Sequence, residues 1–233
     1  MPTLAAVAAD LLARPRPVLC LDTCELLLAV QCLPQRRALQ VEALNRIRTF
    51  LTATPDRLQL VITDLVPHEW SQNITEVQHK ATQFLVQADE DSALVHGAWS
   101  HLGRPLGGAP STHAATALVN ELTALAQAVM AQACVLDRDP PCIQRALDRV
   151  FTKRRPSHDG QVKDSIHLEH YLELSRLLHV GGFAERRVFV SGNRSDFWNG
   201  PLPRIHISIA PDLAAVALEF FGDLRSAVGS LRI

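Results

Sequence analysis

Four acidic residues of the sequence lie shortly after apolar runs or at the start of a helical pattern. The carboxyl ends of parallel strands meet at one edge of a sheet, where such side chains come together. Four carboxylates at short range repel one another unless a cation neutralises them. Carboxylate oxygens suit Mg²⁺ or Mn²⁺ better than Zn²⁺, so the pattern predicts a divalent-metal site. The predicted ligands are Asp22, Glu69, Asp164 and Asp196.

The chemistry expected of such a site is hydrolysis of a phosphodiester bond. A cation would polarise a phosphoryl oxygen and lower the pKa of a bound water for in-line attack, and a second cation would stabilise the leaving oxygen. No nucleophilic side chain is then required. The sequence contains no GxSxG, GxGxxG or HExxH motif, so serine-hydrolase, dinucleotide-binding and zinc-protease interpretations have no support.

Single residues of this set also have simpler interpretations. An Asp after a strand often caps a helix, which applies to Asp22 and Asp164. A Glu in a first helical turn is favoured by the helix dipole alone, so Asp64 and Glu25 are rivals of Glu69 for its role.

Two histidines, His167 and His170, stand three positions apart and flank Glu169, a spacing that suggests zinc. No third ligand with motif spacing accompanies them. Solvated or packing histidines are therefore the favoured interpretation.

The elements that must position these residues alternate between strands and helices, which is typical of an α/β fold with a parallel sheet. Neither a repeat nor a convincing linker interrupts the pattern, so one domain over residues 1–233 is predicted. The predicted strands are 18–21, 58–63, 187–191 and 204–209. The predicted helices are 1–16, 25–32, 35–51, 68–87, 111–135, 142–151, 163–180 and 211–228.

Composition allows a soluble domain with a full core. The chain has 233 residues, of which 47% are hydrophobic, and does not need metal or disulfides in order to fold. Its 23 Lys and Arg against 24 Asp and Glu show no global basic bias, so a local patch must hold any nucleic acid.

The cysteines and the lengths of the apolar runs indicate the cellular compartment of the protein. The five cysteines are odd in number and form no CxxC pair, which favours a reducing cytoplasm. No apolar run approaches the roughly 20 residues of a membrane helix, and residues 1–16 resemble an amphipathic helix more than a signal peptide. A cytoplasmic protein without membrane contact is expected.

Several segments resemble the motifs of PIN-like nucleases. Residues 18–27 resemble their opening strand ending in Asp-Thr, and 60–70 resemble a second strand followed by a helix that bears Glu. Residues 163–174 are similar to the third acid at a helix start. The most specific match is 187–197, which follows the pattern strand, Ser-x-Asn-x-x-Asp-Phe. Residues 204–213 resemble the final strand and helix entry of a bacterial PIN-like subgroup.

The resemblance implies a three-layer α/β/α sandwich with a central, mainly parallel sheet of four to five strands and extra helices. It implies a nuclease, most often an endoribonuclease, that uses Mg²⁺ or Mn²⁺. Asn193 becomes a polar helper of catalysis, and Glu169, five residues past Asp164, becomes a second-rank metal ligand. The four metal ligands carried over by position are Asp22, Glu69, Asp164 and Asp196.

Basic and hydroxyl side chains near the acids are candidates for substrate binding. The stretch Lys153, Arg154 and Arg155 could grip phosphates, although an ordinary solvated connector is equally well supported. Arg194, between two residues of the specific motif, could also meet substrate. The hydroxyl residues Thr23 and Ser191 complete this predicted set.

The sequence allows several alternatives for the substrate and for the partners. RNA is expected before DNA, but the same metal site would permit either, and an inactive PIN-like interaction module is a further alternative. Many family members are toxins paired with an antitoxin, and a toxin or defence effector is one expected role. The chain exceeds a minimal toxin mainly through a helical insertion, 89–141, which could cap the site, recruit a regulatory protein or mediate a homodimer.

Overall fold

A computed structural model of the chain describes residues 3–35, 39–103, 112–157, 159–200 and 202–231. Its centre is a five-stranded sheet in which every neighbouring pair of strands is parallel. The strands of this sheet are β1 Val18–Leu21, β2 Gln59–Thr63, β3 Cys134–Leu136, β4 Arg187–Val190 and β7 Glu219–Phe221. Two further strands, β5 Trp198–Asn199 and β6 Leu202–Ile205, form a separate antiparallel pair.

The helices cover both faces of the sheet, as the predicted α/β class requires. Strand side chains alternate between faces, so Leu19 and Leu21 pack on one and Val18 and Cys20 on the other. The first face carries α2 Thr23–Val30, α3 Leu39–Thr52, α4 Leu65–His101, α5 Thr112–Ala131 and α10 Leu224–Ser230. The second carries α1 Leu4–Ala13, α6 Pro140–Phe151, α7 Lys163–Val180, α8 Arg194–Phe197 and α9 Ala210–Ala215.

The order of the strands, β3-β2-β1-β4-β7, reverses beside β1. The chain builds outward from β1 to β3 with crossover helices on the first face, then returns to the other side of β1 for β4 and β7. Beyond the carboxyl ends of β1 and β4 the crossovers therefore diverge to opposite faces and leave a crevice. Open α/β sheets bind their ligands at this position.

Two short strands of the central sheet were not predicted, because each overlaps a longer helical pattern. β3 is only three residues and overlaps the last two residues of the predicted helix 111–135, whereas β7 falls within the predicted helix 211–228. Three residues are too few to display strand periodicity against a neighbouring helix. The predicted fourth strand, 204–209, is also corrected, since β6 ends at Ile205 and pairs with β5 outside the main sheet.

The segment 89–141 is corrected in the same way. It does not stand apart as a helical insertion, because α4 runs continuously to His101, α5 follows, and β3 joins the central sheet beside β2. The segment thus contains most of the crossover between two sheet strands. Its residues 104–111 lie outside the described part of the chain.

The first helix, α1, is amphipathic as predicted. Its stripe of Leu4, Val7, Ala8 and Leu11 is buried against the second face of the sheet. Among the described residues no helix combines the length and apolar character needed to cross a bilayer. All five cysteines lie in the described ranges and are free thiols.

Candidate metal centre

Asp22 lies where β1 ends and α2 begins, at the point of strand-order reversal. Its backbone is extended, and its Oδ1 accepts a hydrogen bond from the amide of Cys24 at 3.4 Å, which caps α2. The other oxygen, Oδ2, accepts a 2.5 Å hydrogen bond from the hydroxyl of Ser191 at the end of β4. Each oxygen accepts one hydrogen bond and keeps a further lone pair, so the carboxylate of Asp22 can also bind a cation in the crevice.

Glu69 reaches the same crevice from α4. Its Oε2 accepts a hydrogen bond from the Thr23 hydroxyl at 2.7 Å, and its Oε1 lies 3.5 Å from the ammonium of Lys163. Burial alone would raise the pKa of this carboxyl, but hydrogen bonds from His167 and Thr23, with the charges of His167 and Lys163, lower the pKa to about 2. Glu69 is therefore ionised throughout the physiological range.

His167 completes a cluster that sequence reasoning did not find. This buried residue of α7 has Nε2 at 3.4 Å from Oε2 of Glu69 and Nδ1 at 2.7 Å from the hydroxyl of Thr63. Each of Asp22, Glu69 and His167 offers one ligand atom, and these three atoms lie within 4.8 Å of one another. The three residues could therefore hold a metal ion. The available signal was its spacing of three from Asp164, which places both on one side of a helix.

Asp164 begins the same helix and is held by Asn193, whose Nδ2 donates to Oδ2 at 3.0 Å. Burial, followed by the negative charges of Asp22 and Asp196, raises the pKa of Asp164 to about 8. This effect shows that Asp164 is electrostatically coupled to both of those carboxylates. Without a neutralising cation, Asp164 is mainly protonated at neutral pH.

Asp196 is positioned by the short helix α8. The neighbouring Phe197 is fully buried and packs edge-on against Phe189 of β4, with ring centroids 5.2 Å apart. The carboxylate of Asp196 is buried, and its Oδ2 lies 2.9 Å from the hydroxyl of Ser195. That hydroxyl is also 2.8 Å from Oδ1 of Asn193, so the motif 191–197 is linked internally.

The hydroxyls predicted to bind substrate support the acids. Thr23 donates to Glu69, and Ser191 donates to Asp22 while its Oγ accepts from the amide of Asn193 at 3.2 Å. Both residues are buried. Their contacts orient the two carboxylates, and their predicted contact with substrate stays a prediction.

Glu169 does not join the cluster. It lies five residues after Asp164, a rotation of about 140° around a helix, and so faces away from the crevice. Its carboxylate pairs with Arg149 at 2.5 Å and with Arg145 at 2.8 Å, and Arg149 also pairs with Asp212 at 2.6 Å. This buried ion network replaces the predicted metal-ligand role of Glu169.

The rivals of Glu69 and the second histidine also have other partners. Glu25 is buried and accepts a hydrogen bond from Gln40, and Asp64 pairs with Arg138 at 2.6 Å. His170 accepts from the amide of Asp139 at 3.0 Å, as expected of a packing histidine.

The predicted basic residues divide into two groups. Arg155 donates to the carbonyl of Ser195 in α8, and Arg194, the first residue of α8, has its guanidinium 4.8 Å from the ring centre of Trp198. Arg154 points instead toward Asp212, 3.4 Å away, and Lys153 is exposed two residues after the end of α6. A further cation beside the cluster, Lys163, was not predicted.

Comparison with known proteins gives the chain no relative. No protein-family model, no curated protein and no solved structure matches it. The function is therefore argued from the site itself.

Proposed function

We propose that the protein is a metal-dependent nuclease of the PIN-like type, which hydrolyses phosphodiester bonds in RNA with Mg²⁺ or Mn²⁺. The observation that carries the proposal is the cluster of Asp22, Glu69 and His167 at the point of strand-order reversal, with ligand atoms within 4.8 Å of one another. The sequence motif in 187–197, which most resembles the family, supplies Asp196 to the same crevice.

The donor set fits a divalent cation. Asp22 and Glu69 offer carboxylate oxygens that are already oriented by hydroxyl donors. Asp164 supports the same interpretation, because the nearby charges that raise its pKa to about 8 would be offset by a bound cation. Oxygen ligands of this kind are typical of Mg²⁺ and Mn²⁺ sites.

Bound at this cluster, the cation would supply a Lewis acid that polarises a phosphoryl oxygen and lowers the pKa of an attacking water. The protein contributes orientation and charge. Ser191 and Thr23 hold the carboxylates of Asp22 and Glu69 in place, and Asn193 holds that of Asp164. Because hydrogen bonds already orient these acids, the acids do not have to reorganise during hydrolysis.

Cationic side chains beside the cluster can bind the nucleic-acid backbone. Lys163 is half-exposed next to Glu69, whereas Arg155 contacts α8 and Arg194 is its first residue. Arg and Lys bind phosphates without reading base sequence. A local patch of this kind is what a chain with balanced charge requires in order to hold RNA.

The test is cleavage of labelled RNA and of single-stranded DNA by purified protein with Mn²⁺, Mg²⁺ or EDTA. Asp22→Asn and Asp196→Asn remove ligand charge, and Asn retains the capping ability of Asp22. Asp10→Asn is the matched control, since this exposed carboxylate pairs with Arg14 and lies outside the cluster. We expect cleavage to require metal, to be lost in both Asn variants and to persist in the control. Folded wild-type protein that cuts neither polymer would rule the proposal out.

A further inference from the structure

We infer that His167 binds the cation through Nε2, so that the centre has a nitrogen ligand and takes Mn²⁺ in preference to Mg²⁺. The inference rests on the proposed function only in placing a divalent cation at this cluster. It goes further by naming a ligand that the four-acid motif does not contain.

The orientation of the ring is the first argument. Nδ1 of His167 lies 2.7 Å from the hydroxyl of Thr63, the last residue of β2. With Nδ1 donating to that oxygen, Nε2 is directed at the carboxylate cluster, where a bound cation would take the place of the proton that Nε2 shares with Glu69 in the metal-free protein. Histidines that bind metals usually donate their other nitrogen to an oxygen acceptor in this way, which sets both tautomer and orientation. Thr63 is thus a positioning residue for His167.

A comparison with His170, one turn further along α7, is the second argument. Both ring nitrogens of His170 lie at ordinary hydrogen-bonding distances from backbone groups, the amide of Asp139 at 3.0 Å and the carbonyl of Ile166 at 2.7 Å. Nε2 of His167 instead faces Glu69 at 3.4 Å, well beyond the usual 2.9–3.0 Å. This long hydrogen bond holds Nε2 only weakly, and its partner is an anionic oxygen that can share a cation.

The burial of His167 and the charges of its neighbours are the third argument. The side chain of His167 is 1% exposed, and its neighbours Asp22 and Glu69 are anionic ligands that can lie around the same ion. An imidazole with two carboxylates is a mixed donor set that suits first-row transition ions. Mg²⁺ prefers oxygen donors in a near-ideal octahedron and keeps several of its waters. The nitrogen ligand should therefore discriminate between the two cations.

The experiment uses full-length protein with Mn²⁺, whose electron spin reports directly bound nitrogen through electron spin-echo modulation. We expect nitrogen modulation in the wild type, and a changed pattern when the protein is labelled with histidine carrying the heavy nitrogen isotope. This second measurement needs no substitution, so it does not depend on a variant folding. His167→Gln should abolish the modulation, whereas His170→Gln, the matched control on the same helix, should keep it.

Binding competition gives the quantitative test. Mn²⁺ should bind at least about tenfold more tightly than Mg²⁺ to the wild type, and His167→Gln should narrow that ratio. Thr63→Val, which keeps side-chain shape but removes the acceptor, should weaken Mn²⁺ binding about tenfold. Bound Mn²⁺ without nitrogen modulation would refute the inference and leave the carboxylate site of the proposed function intact. Failure to bind Mn²⁺ at all would refute both.

Discussion

The hydroxyl of Ser191 donates a 2.5 Å hydrogen bond to Oδ2 of Asp22, although 169 positions separate the two residues in the chain. They meet because β1 and β4 are neighbours in the sheet, with Leu21 paired to Val190 immediately before them. The bond therefore joins the two halves of the fold at the candidate site, and the geometry of Asp22 depends on a residue near the other end of the chain.

Ser191→Ala should accordingly destabilise the metal-free protein by about 2 kcal/mol, because a buried carboxylate loses a hydrogen-bond donor. Urea denaturation in the presence of EDTA measures this change. Ser195→Ala is the matched control, since this exposed hydroxyl contacts Asp196 at 2.9 Å but can be replaced there by water. If Ser191→Ala and Ser195→Ala lost the same amount of unfolding free energy, the hydrogen bond between β1 and β4 would have no special importance for stability.

The stability of the metal-free protein should depend on pH through Asp164. Its pKa is about 8 in the folded state, against an ordinary value near 4 in the unfolded chain, so folding favours the protonated form. This contribution is fully present below pH 4 and is lost progressively as the pH rises to about 8, by at most about 1.4 kcal/mol per pH unit. Asp164→Asn should remove it.

Chemical denaturation between pH 5 and pH 9 tests this expectation. It gives the unfolding free energies of the wild type and Asp164→Asn at each pH. The difference in unfolding free energy should shift in favour of the Asn variant as the pH rises, and added Mn²⁺ should reverse the shift for the wild type. Asp10→Asn, which changes an exposed carboxylate paired with Arg14, should show no comparable trend. A parallel pH dependence in the wild type and Asp164→Asn would argue against a raised pKa at Asp164.

Arg149 should be essential for stability and irrelevant to metal binding. It is buried and pairs with both Glu169 and Asp212, so Arg149→Met leaves the buried carboxylate of Glu169 with only the half-exposed Arg145 and should cost about 2–3 kcal/mol. Arg176→Met, which breaks an exposed pair with Glu173, should cost less than about 1 kcal/mol in the same denaturation assay. The expectation fails if Arg149→Met is as stable as Arg176→Met.

Lys163 should oppose metal binding while favouring substrate binding. Its ammonium lies 3.5 Å from Oε1 of Glu69 and competes with a cation for that oxygen. Lys163→Gln should therefore tighten Mn²⁺ binding by up to about fivefold, as expected for a partly exposed pair, and weaken RNA binding. Calorimetry and fluorescence anisotropy measure the two effects, with Lys80→Gln on the outside of α4 as the control. Weaker Mn²⁺ binding in Lys163→Gln would refute the competition.

The sequence contained enough information to predict the fold class and the central strands. The runs of β1 and β4 are buried on both faces and therefore stand out as continuous apolar segments. β3 and β7 lie at the edges and are short, so helical periodicity on either side concealed them. Their place in the sheet is set by tertiary pairing rather than by a local pattern.

The candidate site was predictable only in part, for a similar reason. Asp22 and Asp196 follow strands that were recognised, so their common location could be inferred from the rule for parallel sheets. The position of His167 depends on how α7 is rotated against the sheet, and that rotation depends on packing partners distant in sequence. The same rotation carries Glu169 to Arg149 on the other side of the helix.

The central position of β1 has a consequence for biosynthesis. Asp22 precedes its partner Ser191 by 169 positions in the chain, and Asp196 comes later still, so Asp22 leaves the ribosome well before both. Since β4 must dock beside β1 before these groups meet, a partly translated chain has no complete site. The order of translation itself thus delays assembly of the metal centre until β4 and α8 have been made.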